Sequence, residues 1–312
     1  MSFLENQNNK RFYSNGKLLL TAEYFVLDGA TAFAAPTKYG QDLVVQPTVE
    51  NRLQWESYDH KNCCWLAVDI EILAIESGLN QQQKKEAKML LQLLKAVKNQ
   101  NPSFFSTGGF KVKTYLSFPR NWGLGSSSTL LNNLAQWAGI DAYQLLNETF
   151  GGSGYDLACA MNNTHILYSN KPKKPLIECI DFQPVFLDQL YFVHLNKKQD
   201  SRKGIQRYFE LRKKENTQKL IETVDQLSEA IVSCNDLKDF EKLIAEHEQL
   251  VSKTIQLPKI QDSAFSDYFG QTKSLGAWGG DFILATGNDD TPNYFYKKGF
   301  QTVIPYNEMI LS

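Results

Sequence analysis

A short stretch of the chain combines residue types that bind phosphate groups. Residues 123–128 read Gly-Leu-Gly-Ser-Ser-Ser and are followed at once by a helical pattern. The first N–H groups of a helix have no partner within it, and the helix dipole adds partial positive charge there. Glycines let this backbone approach an anion, and serine hydroxyls add donors or a magnesium ligand. The stretch is a candidate phosphate loop, and an ordinary loop whose serine caps the helix is the alternative.

Two further glycine-rich stretches favour the phosphate interpretation. Residues 150–160 (FGGSGYDLACA) place Asp156 directly after a bare backbone, and residues 275–287 (LGAWGGDFILATG) place three glycines before a strand-like run. The candidate phosphate loop, residues 123–128, is not a Walker loop, because it lacks the Gly-Lys-Ser/Thr ending. It is also not a complete Gly-x-Gly-x-x-Gly motif. Three such clusters, each beside serine or aspartate, indicate several backbone segments that converge on one ligand.

Hydrophobic patterns predict the elements that hold these loops. Alternating apolar residues predict a strand over 110–118 that leads into the candidate phosphate loop, and 3–4 spacing predicts a helix directly after that loop. The remaining expected elements are strands within 17–37, 42–58, 186–196, 276–287 and 300–306, and helices within 83–98 and 204–254 with a break at 236–240. A change in character near residue 185 predicts two domains, 1–185 and 186–312.

Composition limits the class of function. The 312 residues carry a net charge of -1, which argues against a nucleic-acid-binding surface. The five cysteines have no CxxC pairs and no directly adjacent histidines, which is typical of reduced thiols in a cytoplasmic protein and not of a zinc site. The polar segment 1–17 lacks the apolar core of a signal peptide. No segment approaches the roughly 18 apolar residues that would span a bilayer.

In their order along the chain, these features resemble the motifs of the GHMP kinases, a family of small-molecule kinases. Residues 14–37 resemble the opening Gly-Lys segment with its Glu-His/Tyr pair, 119–135 resemble the phosphate loop, and 276–285 resemble the Gly-Ala-Gly-Gly-Gly-Asp motif. The resemblance implies an α+β, two-lobed fold. Its N-terminal lobe would be ribosomal S5 domain 2-like and bind ATP, and its C-terminal lobe would be ferredoxin-like, with ATP and the acceptor in the cleft.

The resemblance also implies roles for individual residues. Asp156 is expected to act as base or orienting group for the acceptor, with Lys17 as the cation beside it. The alternatives are a turn-forming aspartate and a surface lysine. The residues expected to hold the ATP phosphates are Gly123, Leu124, Gly125, Ser126, Ser127 and Ser128, of which Ser127 is expected to reach Mg²⁺. The residues expected to contact the acceptor are Glu23, Tyr24, Ser153, Gly154, Lys197, Ser201, Arg202, Gly279, Gly280 and Asp281.

The charged run 196–204 has two interpretations. Such runs are commonly solvated surface, yet a compact group of Lys197, Lys198, Ser201, Arg202 and Lys203 would also suit an acceptor that carries phosphate or carboxylate. Together with the Glu-Tyr pair and the Gly-Ser-Gly-Tyr-Asp run, this favours ATP- and Mg²⁺-dependent phosphorylation of 5-phosphomevalonate. Mevalonate is the alternative acceptor, and a catalytically silent ligand-binding homologue is the alternative of another class.

The sequence departs from the family pattern at several positions. Asn15 replaces a proline in the opening motif, and Trp278 replaces a glycine in the third, which puts a bulky ring near the phosphates or the acceptor. Leu145 stands where mevalonate kinases carry a magnesium-binding glutamate, and Glu148 is the nearest acid. These departures bear on the acceptor and on the magnesium ligands.

Overall fold

A computed structural model describes residues 9–77, 84–106, 108–172, 174–199, 201–212 and 217–311. Residues 1–8 of the polar N-terminal segment, residue 83 of the predicted helix and residue 200 of the charged run lie outside these ranges. The chain forms two compact units that interleave along the sequence. The first comprises Met1–Gly16, Tyr39–Arg120 and Gly125–Met161, and the second comprises Lys17–Lys38, Asn121–Leu124 and Asn162–Ser312. The boundary expected near residue 185 falls within the second unit, and the division 1–185 and 186–312 stays a prediction.

The sheet of the first unit contains the strand predicted to lead into the phosphate loop. Its strands are β1 (Lys10–Leu19), β2 (Ala32–Thr48), β3 (Arg52–Tyr58), β4 (Cys64–Glu71) and β5 (Gly109–Leu116), of which β1 and β2 continue into the second unit. β2 pairs antiparallel with β5 from Gln41 opposite Leu116 to Thr48 opposite Gly109. β5 pairs parallel with β3, and β3 pairs antiparallel with β4. Alternate residues of β5 are buried, as the sequence pattern predicts.

Helices cover the core of the first unit. They are α1 (Ala74–Ser77), α2 (Lys85–Gln100), α3 (Ser126–Ala138), α4 (Ala142–Thr149) and α5 (Tyr155–Met161). The amphipathic helix predicted over 83–98 is confirmed as α2, whose Leu90, Leu91 and Leu94 are buried. The helix predicted directly after the phosphate loop is confirmed as α3, which packs against α2, α4 and α5.

The second unit contains two strands that follow the start of β2 in the strand order. The chain passes through a 3-10 turn at Phe25–Asp28 and enters β2, whose residues 32–34 pair antiparallel with β6 (His165–Ser169). β6 in turn pairs antiparallel with β7 (Leu176–Ile180). A second 3-10 turn, Leu187–Gln189, leads into the next sheet.

The rest of the second unit has the ferredoxin-like arrangement that the resemblance implies. Its elements are β8 (Leu190–His194), α6 (Ser201–Leu211), α7 (Thr217–Ser233), α8 (Leu237–Ile255), α9 (Ile260–Ala264), β9 (Thr272–Ser274), β10 (Phe282–Thr286), α10 (Thr291–Lys297), β11 (Val303–Pro305) and α11 (Tyr306–Met309). The strand order β11-β8-β10-β9 is antiparallel throughout, which is the order expected of a β-α-β-β-α-β chain path. Among the described residues, no helix is long and apolar enough to cross a membrane.

Candidate active site

The end of β1 holds the first half of the phosphate loop within the second unit. The N–H of Lys17 donates to the carbonyl oxygen of Leu124 at 3.0 Å, and the Leu124 side chain is fully buried. Lys17 lies near the C-terminal end of β1. This bond holds Gly123 and Leu124 beside Lys17, the cation expected to take part in catalysis.

A carboxylate lies against the first glycine of this loop. Gly123 has φ +67°, and a β-carbon there would lie 2.4 Å from Cγ of Asp281, so the loop requires glycine at this position. Burial raises the pKa of the Asp281 carboxyl, while the positive charges of Lys17 and Lys198 oppose that shift. Asp281 therefore contacts the phosphate loop, and the Lys17 charge favours its ionised form. The sequence did not predict this contact.

The same aspartate joins the third motif to the segment after β8. Its N–H donates to the Lys197 carbonyl at 2.7 Å, and its own carbonyl accepts from the Leu195 N–H at 2.8 Å. Its side-chain Oδ1 accepts from the Gln199 N–H at 3.3 Å. The second unit thus brings together Lys17, the Gly123–Leu124 loop, Lys197 and Asp281, which are far apart in sequence.

A histidine that sequence analysis passed over supports the residues before Gly123. The N–H of Asn196 donates to Nδ1 of His194 at 3.3 Å, so the proton of the neutral ring lies on Nε2. That Nε2 donates to the Asn121 carbonyl at 3.3 Å. Trp122 packs beside the imidazole and edge-on to Phe282, with ring centroids 6.2 and 5.4 Å apart. No spacing of the four scattered histidines could have indicated this role.

The second half of the loop begins a helix in the first unit. Gly125, with φ +86°, is the N-terminal cap of α3, and no side chain caps the helix. The Ser128 and Thr129 N–H groups bond to the Gly125 carbonyl at 3.0 Å, and Ser127 is exposed. The alternative of a serine cap is therefore wrong, and α3 presents the bare N-terminus that a phosphate would need.

Buried polar side chains anchor α3 behind its N-terminus. Thr129 Oγ1 donates to the Gln41 side chain at 2.7 Å, and Asn133 Nδ2 donates to the Gln41 carbonyl at 2.9 Å. Ser14 Oγ donates to Asn133 Oδ1 at 2.7 Å and accepts from Asn132 Nδ2 at 2.9 Å. Because buried polar groups are costly to leave unpaired, these bonds fix the helix relative to its sheet.

The candidate base lies in the first turn of another helix of the first unit. Asp156 is the second residue of α5, which packs against α3. Ser153 is buried just before it, and Gly154 has φ +86°. Asp156 is itself partly exposed. Its pairing with Lys17 stays a prediction.

Glu23 supports the fold from a buried position. Its side chain is fully buried, and its Oε1 is paired with the equally buried Lys273. Burial raises the pKa of Glu23, against the opposing effect of the Lys273 charge. Burial also raises the pKa of the neighbouring Glu248 to about 7 and, with the Lys273 charge, lowers that of His247. The expectation that Glu23 contacts the acceptor is therefore corrected.

Tyr24 and Trp278 are buried as well. The Tyr24 hydroxyl accepts from the Trp278 N–H at 3.0 Å. The indole N–H of Trp278 donates to the Pro258 carbonyl at 3.0 Å, and the Trp278 side chain is almost completely buried. The ring thus packs inward, and its expected place near the phosphates or the acceptor stays a prediction.

The remaining predicted residues lie at the surface or in loops. Lys197 and Lys198 are exposed after β8, and Ser201 and Arg202 are exposed in the first turn of α6. Gly279 and Gly280 belong to the loop that joins β9 to β10.

Leu145 and Glu148, the two positions compared with the magnesium-binding glutamate of mevalonate kinases, do not form a metal site by themselves. Leu145 is in the core, and the exposed carboxylate of Glu148 accepts bonds from Gln100 and Gln144. Among the described residues, no cluster of three acidic, histidine or cysteine side chains could hold a metal ion.

Comparison with solved structures identifies the fold. Mevalonate kinase from Methanococcus jannaschii matches with a TM-score of 0.69 and 17% identity, covering 94% of this chain and 95% of that one. Phosphomevalonate kinase from Streptococcus pneumoniae, in complex with phosphomevalonate and AMPPNP, matches with a TM-score of 0.65 and 15% identity, covering 97% and 98%. Galactokinase from Lactococcus lactis, complexed with galactose, matches with a TM-score of 0.66 and 13% identity, covering 95% and 89%.

These neighbours are all GHMP kinases, and the chain has the GHMP kinase fold over nearly its whole length. The α+β fold class predicted from the sequence is confirmed. No protein-family model and no curated protein matches the sequence itself. The TM-scores are similar for neighbours that differ in substrate, so the fold does not select an acceptor.

Proposed function

We propose that the chain is an ATP-dependent kinase of the GHMP type. It transfers the γ-phosphate to a mevalonate-pathway acceptor, with 5-phosphomevalonate preferred and mevalonate as the alternative. The observation that carries the proposal is the start of α3, where Gly125 leaves the helix N-terminus without a side-chain cap. A helix N-terminus of this kind attracts phosphate through its free N–H groups and its dipole.

The residues around this helix fit a nucleotide phosphate chain. The hydroxyls of Ser126, Ser127 and Ser128 lie in the first turn, and Ser127 is exposed. Magnesium is usually held by few protein ligands and by the phosphates themselves, so a single serine hydroxyl suits an ion that arrives with ATP. When bound, such an ion neutralises charge on the transferring phosphoryl group. Ser127 is its proposed protein ligand.

The acceptor decides what Asp156 must do. A mevalonate hydroxyl has to lose its proton, so Asp156 would act as a general base. The phosphate of 5-phosphomevalonate is largely ionised at neutral pH and needs no general base, so Asp156 would instead hold Lys17, whose positive charge orients that phosphate. Transfer then breaks the bond between the γ-phosphorus and the oxygen it shares with ADP and forms a new bond to an acceptor oxygen. Lys17 would stabilise the charge on the transferred group.

The exposed cations favour an acceptor that carries negative charge. Lys197 and Lys198 follow β8, and Arg202 lies at the start of α6. A guanidinium can bind a carboxylate or phosphate through two parallel hydrogen bonds. Both proposed acceptors have a carboxylate, and phosphomevalonate adds a phosphate, which is why it is preferred.

An acceptor panel with ATP and Mg²⁺, followed by ADP release, tests the proposal. The panel contains 5-phosphomevalonate, mevalonate, galactose and homoserine. We expect the largest kcat/KM for 5-phosphomevalonate. A larger value for mevalonate would select the alternative acceptor. ATP binding without ADP release for every acceptor would instead support the catalytically silent homologue.

A further inference from the structure

Ala22 and Tyr24, which lie just before the first 3-10 turn, adopt backbone conformations that favour glycine. Ala22 has φ +64°, and Tyr24 has φ +67° with ψ -43°. The Phe25 N–H donates to the Glu23 carbonyl at 2.9 Å, so Tyr24 is the central residue of a γ-turn with positive φ. Such conformations are unfavourable and persist only where the surrounding structure fixes them, often at functional sites.

Buried side chains of the second unit fix this turn. His247 Nε2 accepts from the Ala22 N–H at 2.8 Å, and Lys273 pairs with the Glu23 carboxylate. Lys273 Nζ also donates to the Ser274 carbonyl at 2.9 Å. Glu23, His247 and Lys273 have no solvent-exposed surface. We call these three residues the turn-holding network.

The turn directs the Tyr24 side chain between two segments expected to contact the acceptor. Its hydroxyl accepts from the Trp278 N–H in the glycine-rich loop. The same hydroxyl lies where a β-carbon of Gly204, in the first part of α6, would be only 2.6 Å away. The Tyr24 ring also stacks on Tyr208 of α6, with centroids 5.8 Å apart.

We infer that Tyr24 is a positioning residue: the turn-holding network fixes it so that its hydroxyl sets the distance between the glycine-rich loop and α6. The first turn of α6 carries Ser201 and Arg202, and the glycine-rich loop leads to Asp281. The consequence for acceptor binding rests on the proposed function, because that proposal assigns these residues to the acceptor. The nucleotide phosphates are assigned to other residues.

Gly204→Ala gives a test in which the direction of the effect is decisive. Alanine stabilises an unobstructed helix interior relative to glycine, so an α6 that merely lay on the surface would gain thermal stability. Here the new β-carbon meets the Tyr24 hydroxyl, so we expect Tm to fall by a few degrees. In a Tyr24→Phe background the nearest remaining atoms are ring carbons at 3.0 and 3.2 Å. The same substitution should then lower Tm much less.

Steady-state kinetics test the positioning role. We expect Gly204→Ala to raise the acceptor KM about tenfold and to leave the ATP KM within about twofold. Tyr24→Phe alone should also raise the acceptor KM, because the Trp278 N–H loses its acceptor. Gly204→Ala should add little in that background. Tyr296→Phe, which removes a hydroxyl from a partly exposed tyrosine of α10, is the matched control and should change neither KM.

The outcomes separate this inference from the proposed function. If Gly204→Ala raises Tm, or if its effects on Tm and KM are the same with and without Tyr24→Phe, the inference is overturned. Equal rises in the acceptor and ATP KM would also overturn it. If the wild-type protein turns over no acceptor, the proposed function fails. The Tm values then still decide whether Tyr24 and Gly204 are coupled.

Discussion

Lys273→Met is expected to destabilise the protein strongly, although Lys273 lies outside the residues assigned to ATP and acceptor. Lys273 and Glu23 are both fully buried and form an ion pair. Removing one member of a buried pair leaves the other charge without compensation and typically costs about 3–5 kcal/mol. This is a large part of the roughly 5–15 kcal/mol by which a folded domain is stable. Lys273 also donates to the Ser274 carbonyl at 2.9 Å, so the variant loses a second buried bond.

The loss of stability in Lys273→Met should depend on pH in a defined direction. The pKa of Glu23 is already raised by burial, and loss of the Lys273 charge raises it further. A carboxyl with a raised pKa in the folded state keeps its proton where the unfolded state has lost it. The stability of the variant is therefore greatest below the unfolded-state pKa of about 4.3 and falls as pH rises above it. We expect Lys273→Met to cost more at pH 8 than at pH 5.

Urea unfolding followed by circular dichroism measures this cost. The double variant Lys273→Met with Glu23→Gln removes both charges and should recover most of the lost free energy of unfolding. Lys253→Met, at an exposed position of α8 in the same unit, is the control and should change the free energy of unfolding by less than about 0.5 kcal/mol. A loss below about 1 kcal/mol in Lys273→Met, or no recovery in the double variant, would refute the reasoning.

Three further predictions follow from the described contacts. Asp156→Ala should abolish acceptor-dependent ADP release while ATP still binds, as measured by calorimetry; near-normal turnover would contradict the proposed role. Gly123→Ala should weaken ATP binding at least about tenfold, because a β-carbon would lie 2.4 Å from Asp281 Cγ; unchanged affinity would contradict the loop geometry. Burial lowers the pKa of His165 to about 4, so the wild type should lose up to about 3 kcal/mol of stability as pH falls from 6.5 to 4. His165→Gln should lose less over that range in urea unfolding, and an identical pH profile would contradict this.

Much of the fold could be predicted from local patterns. Alternation over 110–118 and 3–4 spacing over 83–98 identified β5 and α2 because each buries one face. The break at 236–240 lies at the start of α8, where Asp236 caps the helix through a bond to the Asp239 N–H at 3.0 Å. These signals act between near neighbours in sequence, so the amino-acid order records them directly.

The parts of the site that were not predicted depend on contacts distant in sequence. Glu23 was assigned to the acceptor because its motif suggested it, whereas its carboxylate is buried against Lys273, 250 positions away. The contact of Asp281 with Gly123 and the support of Asn121 by His194 are of the same kind. A glycine in a motif indicates that the backbone approaches another group closely, and an acidic residue indicates that a negative charge is needed. The partner of each is set by the tertiary fold.

The measurement that tests the central proposal most directly is phosphorus NMR of the wild-type protein with ATP, Mg²⁺ and 5-phosphomevalonate. Transfer to the acceptor phosphate predicts a pair of mutually coupled diphosphate signals from the product, in addition to the pair from ADP, and both pairs grow as the ATP γ-signal decays. The Asp156→Ala variant should show neither change. Decay of the γ-signal into inorganic phosphate alone, or no decay with 5-phosphomevalonate and with mevalonate alike, would contradict the proposed phosphotransferase activity.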